Sequence, residues 1–300
     1  MRAGEATLAR LERFLTRHPR LFVITGAGVS TASGIPDYRD GDGAWKRAEP
    51  IRFQDFIASD SARRRYWARS LIGWPGFAAA RPNRAHHGIA RLEALGHIEQ
   101  LVTQNVDRLH QAAGNRRAID LHGRLDRVEC LDCGHRMPRQ TFQQELALMN
   151  PALLDLDAAS APDGDALLEG VDFETFHVPA CARCGGPLKP AVVFFGETVP
   201  KARVALAYAF LGRADAVLVI GSSLMVYSGF RFCRAAAEQG KPIAAINRGH
   251  TRADPLLQLK VDAECGATLG ALLERLGSNP DFSPGGPERH EMGCLKKGWN

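Results

Sequence analysis

Two Cys-x-x-Cys pairs, Cys130 with Cys133 and Cys181 with Cys184, constrain this chain more than any other feature, because sharing one ion closes the 47 residues between them into a loop. Each pair aims two thiolates at a tetrahedral centre, and two pairs complete the four-sulfur shell of a structural zinc site, one Zn2+ per chain. A closed shell leaves no position for water. The metal is therefore expected to hold the fold together, with any chemistry sited elsewhere.

The rest of the chain alternates between two periods. Residues 1–18 carry Leu8, Leu11, Phe14 and Leu15 at helical spacing, and the apolar run Leu21–Thr25 then enters a Gly26-Ala27-Gly28 turn. Helical periodicity returns at 84–95, 200–211 and 228–239, and short apolar runs at 98–103, 118–121, 191–195, 216–220 and 242–246 read as strands. This alternation predicts an α/β fold, a Rossmann-like open parallel sheet with helices on both faces, plus a smaller zinc-binding lobe. Gly26, Gln104, Gly196, Gly221 and Asn247 each follow a predicted strand. They are expected to meet in one crevice at the carboxyl ends of the strands. Two segments interrupt the pattern, so we assign 1–45, 82–127 and 188–276 to the nucleotide-binding domain and 46–81 with 128–187 to the small lobe. The Pro-rich stretch 277–300 reads as a disordered tail.

Composition excludes several classes. The chain has 300 residues, 45% hydrophobic and 24% charged, which suits a globular protein with a large core. Its net charge of +5 is spread along the sequence, with only short clusters such as Arg63-Arg64-Arg65. Nucleic-acid binding is not indicated. Glu5, Arg10, Glu12 and Arg13 interrupt the first eighteen residues, leaving neither a signal peptide nor a membrane span. Seven cysteines, four in zinc spacing and three isolated, fit a reducing compartment, so a cytoplasmic protein, most simply a monomer, is expected.

A Gly-x-Gly turn between strand and helix lets the backbone approach a pyrophosphate. Here Thr31 replaces the third glycine of the dinucleotide fingerprint, so the turn alone is equally compatible with a plain loop. The longer string GAGVSTASGIPDYR at 26–39 resembles the first motif of the sirtuins, the NAD-dependent protein lysine deacylases. The resemblance continues in order through TQNVDRLH at 103–110, LHG at 121–123, both cysteine pairs, KPAVVFFGE at 189–197, GSSL at 221–224 and Ile246-Asn247. It spans roughly residues 5–275. RRRYWARSLIGWP at 63–75, VYSG at 226–229 and Cys265 are most similar to the class II branch, which includes the fourth mammalian sirtuin. The long spacing between the cysteine pairs departs from a compact zinc ribbon and implies an insertion.

The resemblance implies a reaction and residues for it. In this family the nicotinamide of NAD leaves, an acyl-lysine oxygen captures the ribose carbon, and a base removes a ribose hydroxyl proton. Free lysine, nicotinamide and O-acyl-ADP-ribose follow. His122 is the implied base, since neutral imidazole suits proton removal near neutral pH; by itself it reads more simply as a packed turn histidine. His110, His86 and His87 read as packed. Asn105 and Asp107 are implied at the nicotinamide and ribose, although Asp107 is equally placed to cap the helix after it. Gly26, Ala27, Gly28, Ser30, Ile35, Pro36, Asp37, Tyr38 and Arg39 of the first motif are assigned to NAD, with Gln104 and Val106. Gly221, Ser222, Ser223, Asn247, Arg248, Gly249 and Cys265 complete that set.

On the substrate side, Val193 and Phe194 are implied as walls of an acyl-lysine tunnel, and Phe195-Gly196-Glu197 as an edge for a peptide strand. Tyr66 and Arg69, three apart on one helical face, could grip an acidic acyl group, though a solvated basic helix fits them as well. Partners are then acyl-lysine proteins, with acidic or longer acyl groups in view. The alternatives are protein mono-ADP-ribosyl transfer and a non-catalytic zinc and NAD sensor.

Overall fold

The computed structural model describes residues 3–38, 46, 50–154, 156, 164–166, 168 and 172–278. Arg39 and residues 279–300, to which the sequence reading gave a cofactor contact and a disordered tail, lie outside them.

Leu21–Thr25 (β1) is buried throughout and pairs in parallel with Ile98–Thr103 (β2) on one side and Ala216–Ile220 (β7) on the other. Ala118–Asp120 (β3), Ile243–Ile246 (β8) and Leu259–Val261 (β9) extend the sheet, in the order β3-β2-β1-β7-β8-β9. Strand order reverses between β1 and β7. In a doubly wound sheet that reversal opens the ligand crevice at the carboxyl ends of the two strands.

Period-two alternation explains how these strands are covered. Leu21, Val23, Leu218 and Ile220 pack with Glu5–Arg17 (α1), Arg84–Ala94 (α4) and Cys265–Ser278 (α9). Phe22, Ile24, Val217 and Val219 point to the other face, against Lys201–Arg213 (α7) and Tyr227–Glu238 (α8). Burying each such large side chain contributes about 1.5–3 kcal/mol. In α1 the expected Leu8, Leu11, Phe14 and Leu15 form the buried stripe.

The smaller lobe has its own core. Phe53–Ala58 (α2) and Asp60–Ala79 (α3) supply Phe56, Tyr66, Trp67 and Leu71, and Arg139–Met149 (α6) supplies Phe142 and Leu146. Gly123–Cys130 (β4) pairs antiparallel with Arg136–Pro138 (β5) and with Leu188–Val192 (β6). Here the sequence reading needs correction. The strand expected at 191–195 in the parallel sheet is β6, three residues earlier and in the small antiparallel sheet, and β4 runs through the expected domain boundary at 127–128. Val193 N–H bonds back to the His122 carbonyl at 2.7 Å. Past it the chain turns, with Glu197 N–H on the Phe194 carbonyl and Gly196 at φ +78°. Gly277 and Ser278 belong to α9 and not to the tail. Among the described residues no helix is long and apolar enough to cross a membrane.

Candidate functional site

The cysteine pairs close as their spacing demands. After each pair a glycine of positive φ, Gly134 (φ +68°) or Gly185 (φ +77°), turns the chain so that its N–H donates to the carbonyl of the first cysteine. All four sulfurs lie within 4.8 Å of one another, with Cys130 to Cys184 at 3.5 Å and Cys133 to Cys181 at 3.7 Å. Zn–S bonds of about 2.3 Å in a tetrahedron place sulfurs about 3.8 Å apart, so the donor set fits zinc. The insertion packs on α3. Arg139 is fully buried, its guanidinium carbon 5.3 Å and 5.0 Å from the rings of Trp67 and Trp74, and it donates to the Ser70 carbonyl at 3.2 Å.

At the other end of β4 a cleft of about 480 Å³ opens where the strand order reverses. Gly26, Gln104, Gly196, Gly221 and Asn247 all line it, four of them from the ends of parallel strands and Gly196 from the turn beyond β6. So do Ala27, Gly28, Ser30, Ile35, Asp37, Tyr38, Asn105, Val106, Asp107, Ser222, Ser223 and Arg248. The glycines have a packing role beside the one read in sequence. A Cβ on Gly26 would lie 2.7 Å from Ser222 Oγ, and one on Gly28 2.9 Å from the Gly221 carbonyl. They let the turns after β1 and β7 interlock, through a 2.9 Å bond from Gly28 N–H to the Gly221 carbonyl.

A hydrogen-bonded cluster occupies the floor. The buried Ser30 hydroxyl donates to Asp107 Oδ2 at 2.6 Å and accepts from Asn105 Nδ2 at 3.0 Å. Asn105 Nδ2 also donates to the Gly26 carbonyl at 3.1 Å. Asp107 Oδ1 accepts the Leu109 N–H at 2.8 Å, so it satisfies the first N–H of Leu109–Ala112 (α5), whose N-cap position is Arg108, and also belongs to the cluster. Burial raises the Asp107 carboxyl above its ordinary range, against the bonds from Ser30 and Leu109. Behind this floor lie two histidines. His86 Nδ1 accepts the Asn83 N–H, closing the cap of α4, and Nε2 faces Ser30 at 3.5 Å. His110 Nε2 contacts Thr25 Oγ1 at 2.9 Å, consistent with its packed reading.

His122 stands on the wall between β3 and β4. Its Nδ1 lies 3.0 Å from the Gln104 carbonyl and its Nε2 2.7 Å from Ser228 Oγ. A carbonyl only accepts, so Nδ1 carries the proton and Nε2 presents a lone pair. Desolvation lowers its pKa to about 4, with the nearby Arg203 guanidinium acting in the same sense and the Gln104 bond opposing. The imidazole is thus neutral near pH 7. Gly123, at φ +84°, has no room for a Cβ, which would sit 2.2 Å from the Ala191 carbonyl.

Val193, Phe194, Phe195 and Tyr66 line an apolar arm with Leu125, Phe77 and Ile51. The Tyr66 ring is edge-on to Phe194 at 5.3 Å. Arg69 does not join Tyr66 there. Its Nε donates to the Ala166 carbonyl at 3.0 Å and its Nη2 lies 3.7 Å from Asp165 Oδ2, so the insertion draws it away from the cleft. Phe195-Gly196-Glu197 is already engaged in part by its own chain. The Phe195 carbonyl accepts the Phe53 N–H at 2.9 Å, the Gly196 carbonyl accepts Gln54 Nε2 at 3.1 Å, and Glu197 pairs with buried Lys189 at 3.2 Å. Pro36, Gly249 and Cys265 fall outside the lining, and the Cys265 thiol donates to the Ile246 carbonyl at 3.6 Å. Sequence reasoning missed Ser228, which no motif role marked and which only the approach of α8 brings to His122.

The site's chemistry agrees with wider likeness. A profile described as the Sir2 family matches residues 26–228. Over 262 residues, 87% of this chain and 89% of the relative, the sequence is 63% identical to a protein named NAD-dependent protein deacetylase from Xanthomonas campestris pv. campestris (strain 8004). It is 62% identical over 263 residues, 88% of this chain and 96% of the relative, to NAD-dependent protein deacetylase 2 of Bradyrhizobium diazoefficiens. A solved structure described as Sir2-p53 peptide-NAD+ superposes with a TM-score of 0.74 at 28% identity, over 91% of this chain and 99% of that one. With the profile covering most of the chain, relatives matched almost end to end and a neutral histidine facing a nucleotide crevice, this chain belongs to the Sir2 family.

Proposed function

We propose that the protein is an NAD-dependent protein-lysine deacylase that releases nicotinamide and O-acyl-ADP-ribose, with zinc as a structural ion. The observation that carries this reading is a neutral imidazole, held by Nδ1–H on Gln104, in one cleft with the Ser30, Asn105 and Asp107 cluster. The donor set suits NAD. Carboxamides of Gln104, Asn105 and Asn247, hydroxyls of Ser222 and Ser223 and the exposed Arg248 offer hydroxyl, amide and cationic groups to ribose and phosphate. When bound, NAD supplies a glycosidic bond to a cationic leaving group.

The protein's own residues do the rest. Asn105 is oriented by Gly26 and Ser30, and Asp107 is fixed by Ser30 and Leu109, so both present fixed dipoles to the nicotinamide and ribose end. His122 receives a proton at Nε2 while Gln104 holds Nδ1–H, a division of roles that fits general-base catalysis. Phe194, Val193 and Phe77 exclude water from the arm that takes the acylated side chain. That arm favours neutral, apolar acyl groups, because Arg69 is engaged by Asp165 and Ala166. A reducing compartment such as the cytoplasm belongs to the same proposal, in line with four of the seven cysteines standing in zinc spacing, as does a monomeric state.

A peptide panel carrying acetyl, succinyl, methylglutaryl and lipoyl lysine, incubated with and without NAD and read by mass spectrometry, tests it. Acetyl or another neutral acyl group should be removed only with NAD. Preferential removal of succinyl or methylglutaryl would overturn the neutral-acyl reading.

A further inference from the structure

The His122 lone pair is already occupied. Because Nδ1–H is committed to the Gln104 carbonyl, the 2.7 Å contact at Nε2 is a bond donated by the Ser228 hydroxyl. Nε2 is also the nitrogen that must take the proton during deacylation. A proton therefore reaches it either through Ser228 or after Ser228 has been pushed aside.

Three features keep the backbone of Ser228 beside the imidazole. Ser228 sits in the first turn of α8 and lines the cleft with His122, its oxygen 2.7 Å from Nε2. The next residue, Gly229, packs so closely on Gln104 that a Cβ there would lie 2.5 Å from Gln104 Oε1. Gln104 thus fixes both partners, the imidazole through its carbonyl and the helix carrying Ser228 through its side chain. Its Nε2 is in turn tied to Ser222 Oγ at 2.9 Å and to the Thr25 carbonyl at 3.2 Å, which anchors the whole set to β1.

We propose that Ser228 is a catalytic relay: its hydroxyl gives its proton to His122 Nε2 as its oxygen takes a proton from the ribose hydroxyl. The step balances. One O–H bond breaks at the ribose and one forms at Ser228, while the original Ser228 O–H bond breaks and an N–H bond forms at Nε2. The net change is one proton moved from ribose to imidazole, with serine regenerated. The imidazolium then donates from Nδ1 to Gln104 and from Nε2 to the same serine oxygen, so both its N–H groups are satisfied in a poorly solvated site. This relay rests on the deacylase reading above.

The test has one arm without cofactor. In the free protein, nitrogen NMR of 15N-labelled histidine should show a hydrogen-bonded Nε2 in wild type and in Ser228→Thr. In Ser228→Ala the Nε2 signal should move towards that of an unbonded lone pair, with the Nδ1–H tautomer retained. In single turnovers of an acetyl-lysine peptide, Ser228→Ala should slow amide cleavage ~100-fold, the low end for losing a proton-transfer group. Ser228→Thr should restore most of the rate. Rates in H2O/D2O mixtures should curve for wild type, with two protons in flight, and run straight for Ser228→Ala. Exchange of labelled nicotinamide into NAD, which precedes the proton step, should persist in Ser228→Ala.

An unchanged Nε2 signal in Ser228→Ala, wild-type cleavage by that variant, or loss of nicotinamide exchange together with cleavage would each overturn the relay. If Ser228→Ala does not fold, the wild-type rates in H2O/D2O mixtures decide alone: a curve supports two protons in flight, and a straight line overturns the relay. Failure of the wild type to cleave any acyl peptide with NAD, with the NMR bond intact, removes the deacylase reading and the relay with it. Wild-type activity equal to that of Ser228→Ala removes the relay alone.

Discussion

Burial decides the charge of His122. The free energy that disfavours imidazolium in its enclosed setting, added to the repulsion from Arg203, outweighs the bond to Gln104 and lowers the pKa to about 4. A base must be unprotonated to act, so the sign is plain: the active form is lost only as pH falls through the folded value. We expect kcat/KM, which reports the free enzyme, to show no loss attributable to this histidine between pH 8 and pH 6 and to fall towards pH 4. An acidic limb near pH 6.5 would contradict that environment for His122. The same residue illustrates what one sequence can reveal. The LHG motif marked His122, but its tautomer depends on the Gln104 carbonyl and its lone pair on Ser228, eighteen and 106 residues away, a distance that local reading does not cross.

Elements with strong local codes were legible, and those defined by partners were not. The apolar runs at β1, β2 and β7 carry their own period and were placed correctly, as was the stripe on α1. The stretch 189–197 has the same apolar character, yet its first half pairs with β4 and its second half turns. The turn is set by the pairing of Lys189 with Glu197 at its two ends and by the Phe53 N–H and the Gln54 side chain, which lie outside the run. Tyr66 and Arg69 share a helix face as spacing required, but Asp165, in the insertion, decides where Arg69 goes. The zinc turns were fully legible because two cysteines and a glycine suffice to build each. Their metal contributes folding energy directly, so Cys130→Ser should lose bound zinc and aggregate. A stoichiometric, soluble and active Cys130→Ser protein would show that the ion does not support the lobe. Metal analysis with light scattering reads both outcomes.

The whole molecule places two supports on opposite sides of one cleft. The parallel sheet supplies the floor through the turns after β1, β2 and β7, while β4 links that floor to the zinc lobe and sets His122 at its own start. Interlocking glycines at 26, 28 and 221 tie the turns together, and Arg139 between two indoles ties the insertion to α3. This division separates holding from reacting. The thiolates keep the lobe folded, and the cleft needs only a neutral base and fixed dipoles. The central claim is that this cleft couples NAD cleavage to amide removal through His122. Its most direct test is the stoichiometry of nicotinamide released to acyl group lost from an acetyl-lysine peptide, for wild type and His122→Ala. The account predicts one nicotinamide per acyl group in wild type, and loss of deacylation in His122→Ala with NAD affinity within about tenfold, or ~1.4 kcal/mol, of wild type. Nicotinamide release with every acyl group retained, or full deacylation by His122→Ala, would contradict it.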